Sequence, residues 1–288
     1  MKNTIKRAIV IILVLCMATA LGVTLSACDK GDREGKLYVG MECGYQPYNY
    51  TQMDNSNGAV KIANADGYAN GYDVMIAKRI AEALGKELVI YKYVDFNALI
   101  PAVTAGTLDL IIAGMSPTAK RAQAIDFSDA YYDPNLVIVV RKDSPYANAT
   151  SLDDFAGAHI VAQIGTFHND ALQAQGPQKG IIPKDPLDNF PAMINAIKTA
   201  TAEYDGYVAD ESGAIADCAA NADLTYVHLV NNITGFVATP EDTQIAVGLK
   251  KGSSLTAQIN TILAGISESE RNTLMAQATA YATGENIA

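Results

Sequence analysis

Two apolar patterns alternate along most of the chain: short unbroken runs, and positions recurring three and four residues apart. The first suits a strand buried on both faces, the second a helix with one apolar side. Leu37 to Gly40 reads as a first strand. Val74, Ala77, Ile80, Ala81 and Leu84 keep helical spacing, and Gly85 follows where a helix terminus favours glycine. Glu87 to Tyr93 reads as a second strand. Phe96 to Ala105 reads as a helix in spite of Pro101, ended by Gly106, and Leu108 to Ala113 as a third, nearly wholly apolar strand. This β-α-β-α-β order predicts an open α/β sheet.

A second series starts after Asn135. Leu136 to Val140 reads as a strand, and Ser151-Leu-Asp-Asp154 as a capping box with Asp in the acidic place. His159 to Ile164 is expected to be a strand, Phe167 to Gln175 and Ala192 to Ala200 helices, and Tyr207 to Ala209 a short strand running into Asp210. Towards the C-terminus, Gln244 to Leu249 reads as a strand, with helices over Leu255–Ile266 and Arg271–Tyr281. The pattern predicts two α/β units and leaves this last strand and its helices unassigned between them. Between Tyr50 and Gly71 lies a polar stretch in which Asn57-Gly58 signals a hairpin. The length suits two domains of modest size.

The N-terminus is built differently. Lys2, Lys6 and Arg7 precede an apolar run from Ala8 to Val23, broken only by Thr19 and Gly22. A membrane span takes about 20 apolar residues, so this shorter run suits the core of a signal peptide. It ends in Leu25-Ser26-Ala27-Cys28, which resembles the lipobox of bacterial lipoprotein signals. On that reading residues 1–27 are removed and Cys28 becomes the lipid-bearing first residue. Residues 28–35, polar and glycine-rich, then tether the domain to the outer face of the cell membrane. The alternative is a plain secretory signal with an incidental cysteine. The formal net charge is −10, and removal of the three basic residues of the signal makes the mature chain more acidic. That balance disfavours nucleic acid and charge-driven adhesion to anionic lipid. Cys43 and Cys218 are left as a bridge or, as expected, two small buried thiols.

A set of stretches, taken in order, resembles the extracellular solute-binding proteins, family 3, of polar amino-acid transporters. They are Tyr45-Gln-Pro-Tyr48, Gly71-Tyr-Asp-Val-Met-Ile-Ala77, Leu99-Ile-Pro-Ala102 and Leu108-Asp-Leu-Ile-Ile-Ala-Gly-Met115. Ser116-Pro-Thr118, Lys120-Arg121, Ile125 to Tyr132, Val208-Ala-Asp-Glu211 and Val247-Gly-Leu-Lys250 continue the series. The stretch after Tyr50 is longer than the family's. The resemblance implies an α/β, two-lobed, type II periplasmic-binding-protein clamshell. Lobe 1 would hold residues 36–132 plus 243–288 and lobe 2 residues 136–234, with hinges at about 133–135 and 235–242. It implies a binding protein, not an enzyme, that needs no cofactor and delivers a free amino acid to the permease of an ABC importer. A monomer is expected.

A free amino acid asks for planar donors to its α-carboxylate, acceptors for its α-ammonium and a pocket matched to its side chain. Arg121 answers the first, since a guanidinium forks onto a carboxylate as lysine cannot. It also matches the family's carboxylate-binding arginine; outside that context it would be a solvated helix charge. Gly165 and Thr166 fall between a strand and a helix, where free N–H groups would hold the same carboxylate. By the resemblance Asp210 accepts the α-ammonium, although it also stands where the run from Glu211 to Ala220 wants an N-cap. Ser116 matches a hydroxyl of the same site. Ala113 and Gly114 stand where the family often has serine, so only their main chain, such as the Gly114 carbonyl, is available. Tyr45 and Phe96 match the aromatic pair that sandwiches the ligand side chain, the alternative being ordinary core packing. Glu42 falls where the family often places an acid at the side-chain terminus. Asp73, Asp109, Asp126 and Asp129 read as helix starts and strand ends.

His159, His168 and His228 show no metal-ligand spacing, and neither a phosphate loop nor a nucleophilic triad stands out. The same two-lobed fold also hosts enzymes such as cyclohexadienyl dehydratases, for which Glu42 is the only acid to name. A sensory or adhesive ectodomain is a third class, disfavoured by the lipid anchor. Counting charges, Arg121 and Asp210 neutralise the ligand's own groups and leave Glu42 ionised beside two rings. The expected ligand is therefore cationic, arginine before lysine or ornithine, with glutamine the rival.

Overall fold

The structure, a computed structural model, describes residues 33–200 and 202–284; the expected signal peptide and Cys28 lie outside them. In chain order the elements are β1 (Lys36–Met41), β2 (Gly44–Tyr45), β3 (Asn49–Gln52), β4 (Val60–Lys61), β5 (Tyr68–Asn70), α1 (Tyr72–Ala83), β6 (Glu87–Lys92), α2 (Leu99–Thr104), β7 (Leu110–Ile111) and β8 (Ile125–Tyr132). There follow β9 (Leu136–Arg141), β10 (His159–Val161), α3 (Phe167–Gln175), β11 (Ile182–Pro183), α4 (Phe190–Thr199), β12 (Gly206–Asp210), α5 (Glu211–Ala220) and β13 (Leu224–Val227). The last described elements are α6 (Pro240–Thr243), β14 (Ile245–Lys250), α7 (Leu255–Ala264) and α8 (Glu268–Thr283).

The strands form two five-stranded sheets, ordered β6-β1-β7-β14-β8 and β11-β10-β12-β9-β13, and a small sheet β2-β3-β5-β4. In the first, β1 runs parallel to β7 with Val39 opposite Leu110, and β14 is antiparallel to β7 and β8. In the second, β10 is parallel to β11 and β12, while β9 is antiparallel to β12 and β13. Both β9 and β12 lie inside their sheet and are buried almost throughout, which is why Leu136 to Val140 and Tyr207 to Ala209 are apolar without alternation. The chain passes between the two large sheets through residues 133–135 and again between β13 and β14. One apolar cluster is common to both, running from Val39 and Met41 through Tyr45 and Phe190 to Val139 and Tyr207.

The sequence expectations need four corrections here. Asn57 and Gly58 do adopt left-handed backbone, with φ of 55° and 73°, but the strands they separate, β3 and β4, both pair with β5 and not with each other. The turn belongs to a longer excursion, and the hairpin is made by β4 and β5. The strand expected over 108–113 shrinks to Leu110–Ile111, because Gly114 turns the chain into the site. β8 is a full strand that the apolar pattern did not show. It lies at a sheet edge, and Asp126 and Asp129 break its apolar run. Of the two free thiols, Cys43 is buried but Cys218 is only half-buried.

Candidate ligand-binding site

Ligands of open α/β sheets gather beyond the carboxyl ends of the parallel strands. Glu42 follows β1, Gly114 and Ser116 follow β7, Gln163 and Thr166 follow β10, and Asp210 ends β12. They come together around a narrow, nearly filled recess with a cavity volume of about 20 Å³, lined by seven of the expected residues: Glu42, Tyr45, Phe96, Gly114, Ser116, Arg121 and Thr166. Gly165 lies in the adjoining recess beside Arg121. Asp210 stands behind two lining residues, to which it is hydrogen-bonded.

Arg121 is held by main-chain acceptors. Its Nη1 donates to the Ser116 carbonyl at 2.8 Å and its Nη2 to the Gly165 carbonyl at 3.0 Å, and the guanidinium lies 5.1 Å from the centre of the Phe96 ring. A guanidinium has five N–H donors, so others are left to meet a carboxylate. Burial lowers its pKa to about 10, which still leaves a cation at neutral pH. Gly165 was expected to offer its N–H; the contact it makes with Arg121 is through its carbonyl. Its φ is +74°, and a Cβ built there would fall 1.9 Å from Asn97 Oδ1, so a side chain at this position would have to displace that of Asn97, on a backbone that favours glycine. The Thr166 hydroxyl N-caps α3, accepting from Asn169 N at 3.3 Å, and donates to the Gln163 carbonyl at 2.7 Å.

Asp210 is buried, and both carboxylate oxygens are engaged. Oδ2 accepts from the Tyr45 hydroxyl at 2.5 Å, and Oδ1 lies 3.2 Å from His168 Nε2. Its backbone occupies the N-cap position of α5, yet its side chain makes no capping bond. The capping alternative therefore does not describe the carboxylate.

Glu42 departs from expectation. It is only 4% exposed, and its Oε1 accepts from Gln163 Nε2 at 2.8 Å. Burial pushes its carboxyl up to about 8, against the opposing pull of that amide. An acid in this state is neither unpaired nor ionised at neutral pH, so the charge count made from the sequence does not hold for the unliganded site. Tyr45 stacks one face on Phe190, with ring centres 4.1 Å apart and planes 10° apart, so Phe96 is not its only aromatic neighbour in the cavity.

Behind these residues lies a fully buried hub. Asp73 accepts from Asn49 Nδ2 at 2.8 Å, from the Tyr131 hydroxyl at 2.7 Å and from the Gly114 N–H. Asn49 in turn accepts from the Cys43 N–H at 2.7 Å. Asp73 does sit in the first turn of α1, as expected, but it also fixes the loops that present Glu42, Tyr45 and Gly114. Burial raises its pKa to about 6.

Gln163, Phe167, His168 and Phe190 line the cavity and were not foreseen. A polar Gln163 set in the apolar run Ile160-Val-Ala-Gln-Ile164 was a usable signal, as was a histidine just inside a helix that follows a strand and a glycine. For Phe190 the sequence held none beyond its place after an N-capping Asn189.

Residues 37–278 match the family described as bacterial extracellular solute-binding proteins, family 3. The chain is 30% identical over 259 residues to the arginine-binding extracellular protein ArtP of Bacillus subtilis, covering 87% of this chain and 90% of that protein. It is 29% identical over 202 residues to the ABC transporter glutamine-binding protein GlnH of the same organism, covering 69% and 68%. Among solved structures, an amino acid ABC transporter substrate-binding protein of Streptococcus pneumoniae bound to L-arginine superimposes with a TM-score of 0.70 at 25% identity, over 88% of this chain and 98% of that one. The fold is accordingly the two-lobed, type II periplasmic-binding-protein fold, and the chain belongs to the bacterial extracellular solute-binding proteins, family 3.

Proposed function

We propose that the protein is an extracytoplasmic receptor that binds a free amino acid with a cationic side chain, arginine first, and delivers it to the permease of an ABC importer. The observation that carries this reading is the set of groups around one cavity: the Arg121 cation and the buried acid Glu42 both line it, and Asp210 stands behind it, bonded to the lining Tyr45. Arg121, with Ser116 and the loop at Gly165 and Thr166, would take the α-carboxylate, and Asp210 the α-ammonium. Tyr45 and Phe96 would flank the side chain. A guanidinium reaching Glu42 would convert its buried acid to a carboxylate and pair with it, which is the arrangement that offsets the cost of burying either charge. The arginine-binding relative and the arginine-bound structure support the same ligand.

Glutamine is the second reading, because Glu42 already accepts a bond from one amide, that of Gln163, and a ligand amide would suit the same acceptor. A glutamine-binding relative at 29% identity is consistent with it. Calorimetric titration with each of the twenty amino acids separates the two. Tight arginine binding is expected, and tight glutamine binding with no heat from arginine would overturn the first reading.

In this reading the protein performs no catalysis and acts as a monomer. Its lobes comprise residues 36–132 with 243–288 and residues 136–234, hinged near 133–135 and 235–242. Cys28 carries the acyl chains that hold it at the outer face of the cell membrane.

A further inference from the structure

We propose that His168 is a positioning residue for the ligand's α-ammonium, holding the Asp210 carboxylate at the back of the cleft against the pull of its own helix. The proposal rests on the amino-acid reading above and assigns a role to a side chain outside the expected set. Asp210 stands at the N-cap of α5, where a carboxylate is ordinarily drawn to the free N–H groups and the positive end of the helix. Here it makes no such bond. Two side-chain donors reach it instead, Tyr45 on Oδ2 and His168 on Oδ1.

The imidazole is set for this task. Among the described residues Nδ1 is buried and has no hydrogen-bond partner, while Nε2 faces the carboxylate. A buried N–H without an acceptor is costly, so pairing with Asp210 assigns the proton to Nε2 and leaves Nδ1 as a bare lone pair. The Phe190 ring stands edge-on to the imidazole, with centres 6.3 Å apart at 85°, and stacks on Tyr45 at 4.1 Å. One aromatic side chain thus supports both donors. Each carboxylate oxygen has a further lone-pair direction, so an ammonium can add to Asp210 without displacing either of them. Without the Nε2 donor, Tyr45 alone holds the carboxylate, and Oδ1 can turn towards the free N–H groups of α5.

The experiment compares ligands with and without the ammonium. L-arginine and its des-amino analogue, 5-guanidinopentanoate, are titrated into the wild type, His168→Phe and His168→Gln. The Phe variant keeps a ring against Phe190 and lacks the donor, whereas Gln restores an amide donor near the Nε2 position. His168→Phe is expected to weaken L-arginine roughly tenfold or more, the scale of a lost charge-assisted bond, and to leave the analogue within about twofold. His168→Gln should recover most of the loss. Equal losses for the two ligands, or none for either, overturn the proposal. A wild type that takes glutamine instead is tested in the same way with glutamine and its des-amino analogue, glutaramate. A wild type that binds no amino acid overturns the functional reading itself, and this proposal with it.

Discussion

Gln163 and Glu42 join the two large sheets, the amide following β10 donating at 2.8 Å to the carboxyl following β1. The acid so held has its pKa pushed up to about 8 by burial, and is largely protonated at neutral pH. A cationic ligand would lower that value and expel the proton. Arginine affinity should therefore rise with pH, by up to about tenfold per unit, and level off above pH 8. Titration at pH 7 in two buffers of different ionisation enthalpy should show release of about one proton for arginine and none for citrulline. Equal proton release for both ligands would remove Glu42 from the side-chain end of the site.

The same shift has a stability consequence. The carboxyl begins at 4.5 in the unfolded chain and reaches about 8 when folded, so the folded form binds the extra proton between these values. Its favourable contribution is complete below 4.5 and is lost as the pH rises through 8. Glu42→Gln should leave the melting temperature nearly unchanged at pH 4. At pH 9 it should stabilise the fold, by up to about 5 kcal/mol for a shift from 4.5 to about 8, and raise the melting temperature accordingly. Unfolding scans of the unliganded proteins at the two pH values check this, and a fall at pH 9 would contradict it.

Arg121→Lys keeps the charge and loses the fork that spans the Ser116 and Gly165 carbonyls. Amino-acid affinity should fall by about 10- to 150-fold, corresponding to roughly 1.5–3 kcal/mol for a bond to a charged group. Wild-type affinity in this variant would return Arg121 to an ordinary surface charge.

Gly165→Ala should hinder closure. The new methyl would meet Asn97 Oδ1 at 1.9 Å, and the residue would also be held at a φ of +74°. Solution scattering at saturating ligand is expected to show a larger radius than the wild type, with affinity reduced roughly tenfold or more. Asn97→Ala in the same chain should restore part of both. A compact Gly165→Ala complex would show that this contact does not limit closure.

Cys28→Ser should shift the protein from the membrane fraction to the medium or periplasm, because the run from Ala8 to Val23 is too short to anchor it alone. Membrane retention of the variant would show that something other than acylation holds the chain.

The sequence was most legible where burial is symmetrical. The inner strands β9 and β12 and the helix α1 carry their own periodicity, and their limits fell within a residue or two. β8 was hidden at a sheet edge, where Asp126 and Asp129 interrupt its apolar run and so read as helix starts or strand ends. In the site, Arg121, Asp210 and Glu42 were found through a resemblance and through the chemistry an amino acid demands. Their partners were not, because Gln163 reaches Glu42 from another sheet and His168 reaches Asp210 from a helix distant in sequence, as Phe190 reaches Tyr45. The state of Glu42 depends on such a partner and on depth of burial, which no linear pattern records.

In the first sheet β14 lies between β7 and β8, and β8 has no other strand beside it. On a growing chain β8 must therefore wait for nearly the whole of the second sheet to be made before it can pair. The second sheet uses consecutive strands, β9 to β13, and β9 waits only for β12, a shorter delay. The long loop closed by β14 makes this a high-contact-order step, and such steps are slow. The half of the receptor that presents Arg121 is thus the last to be assembled, and until then β8 is an unpaired edge open to other chains.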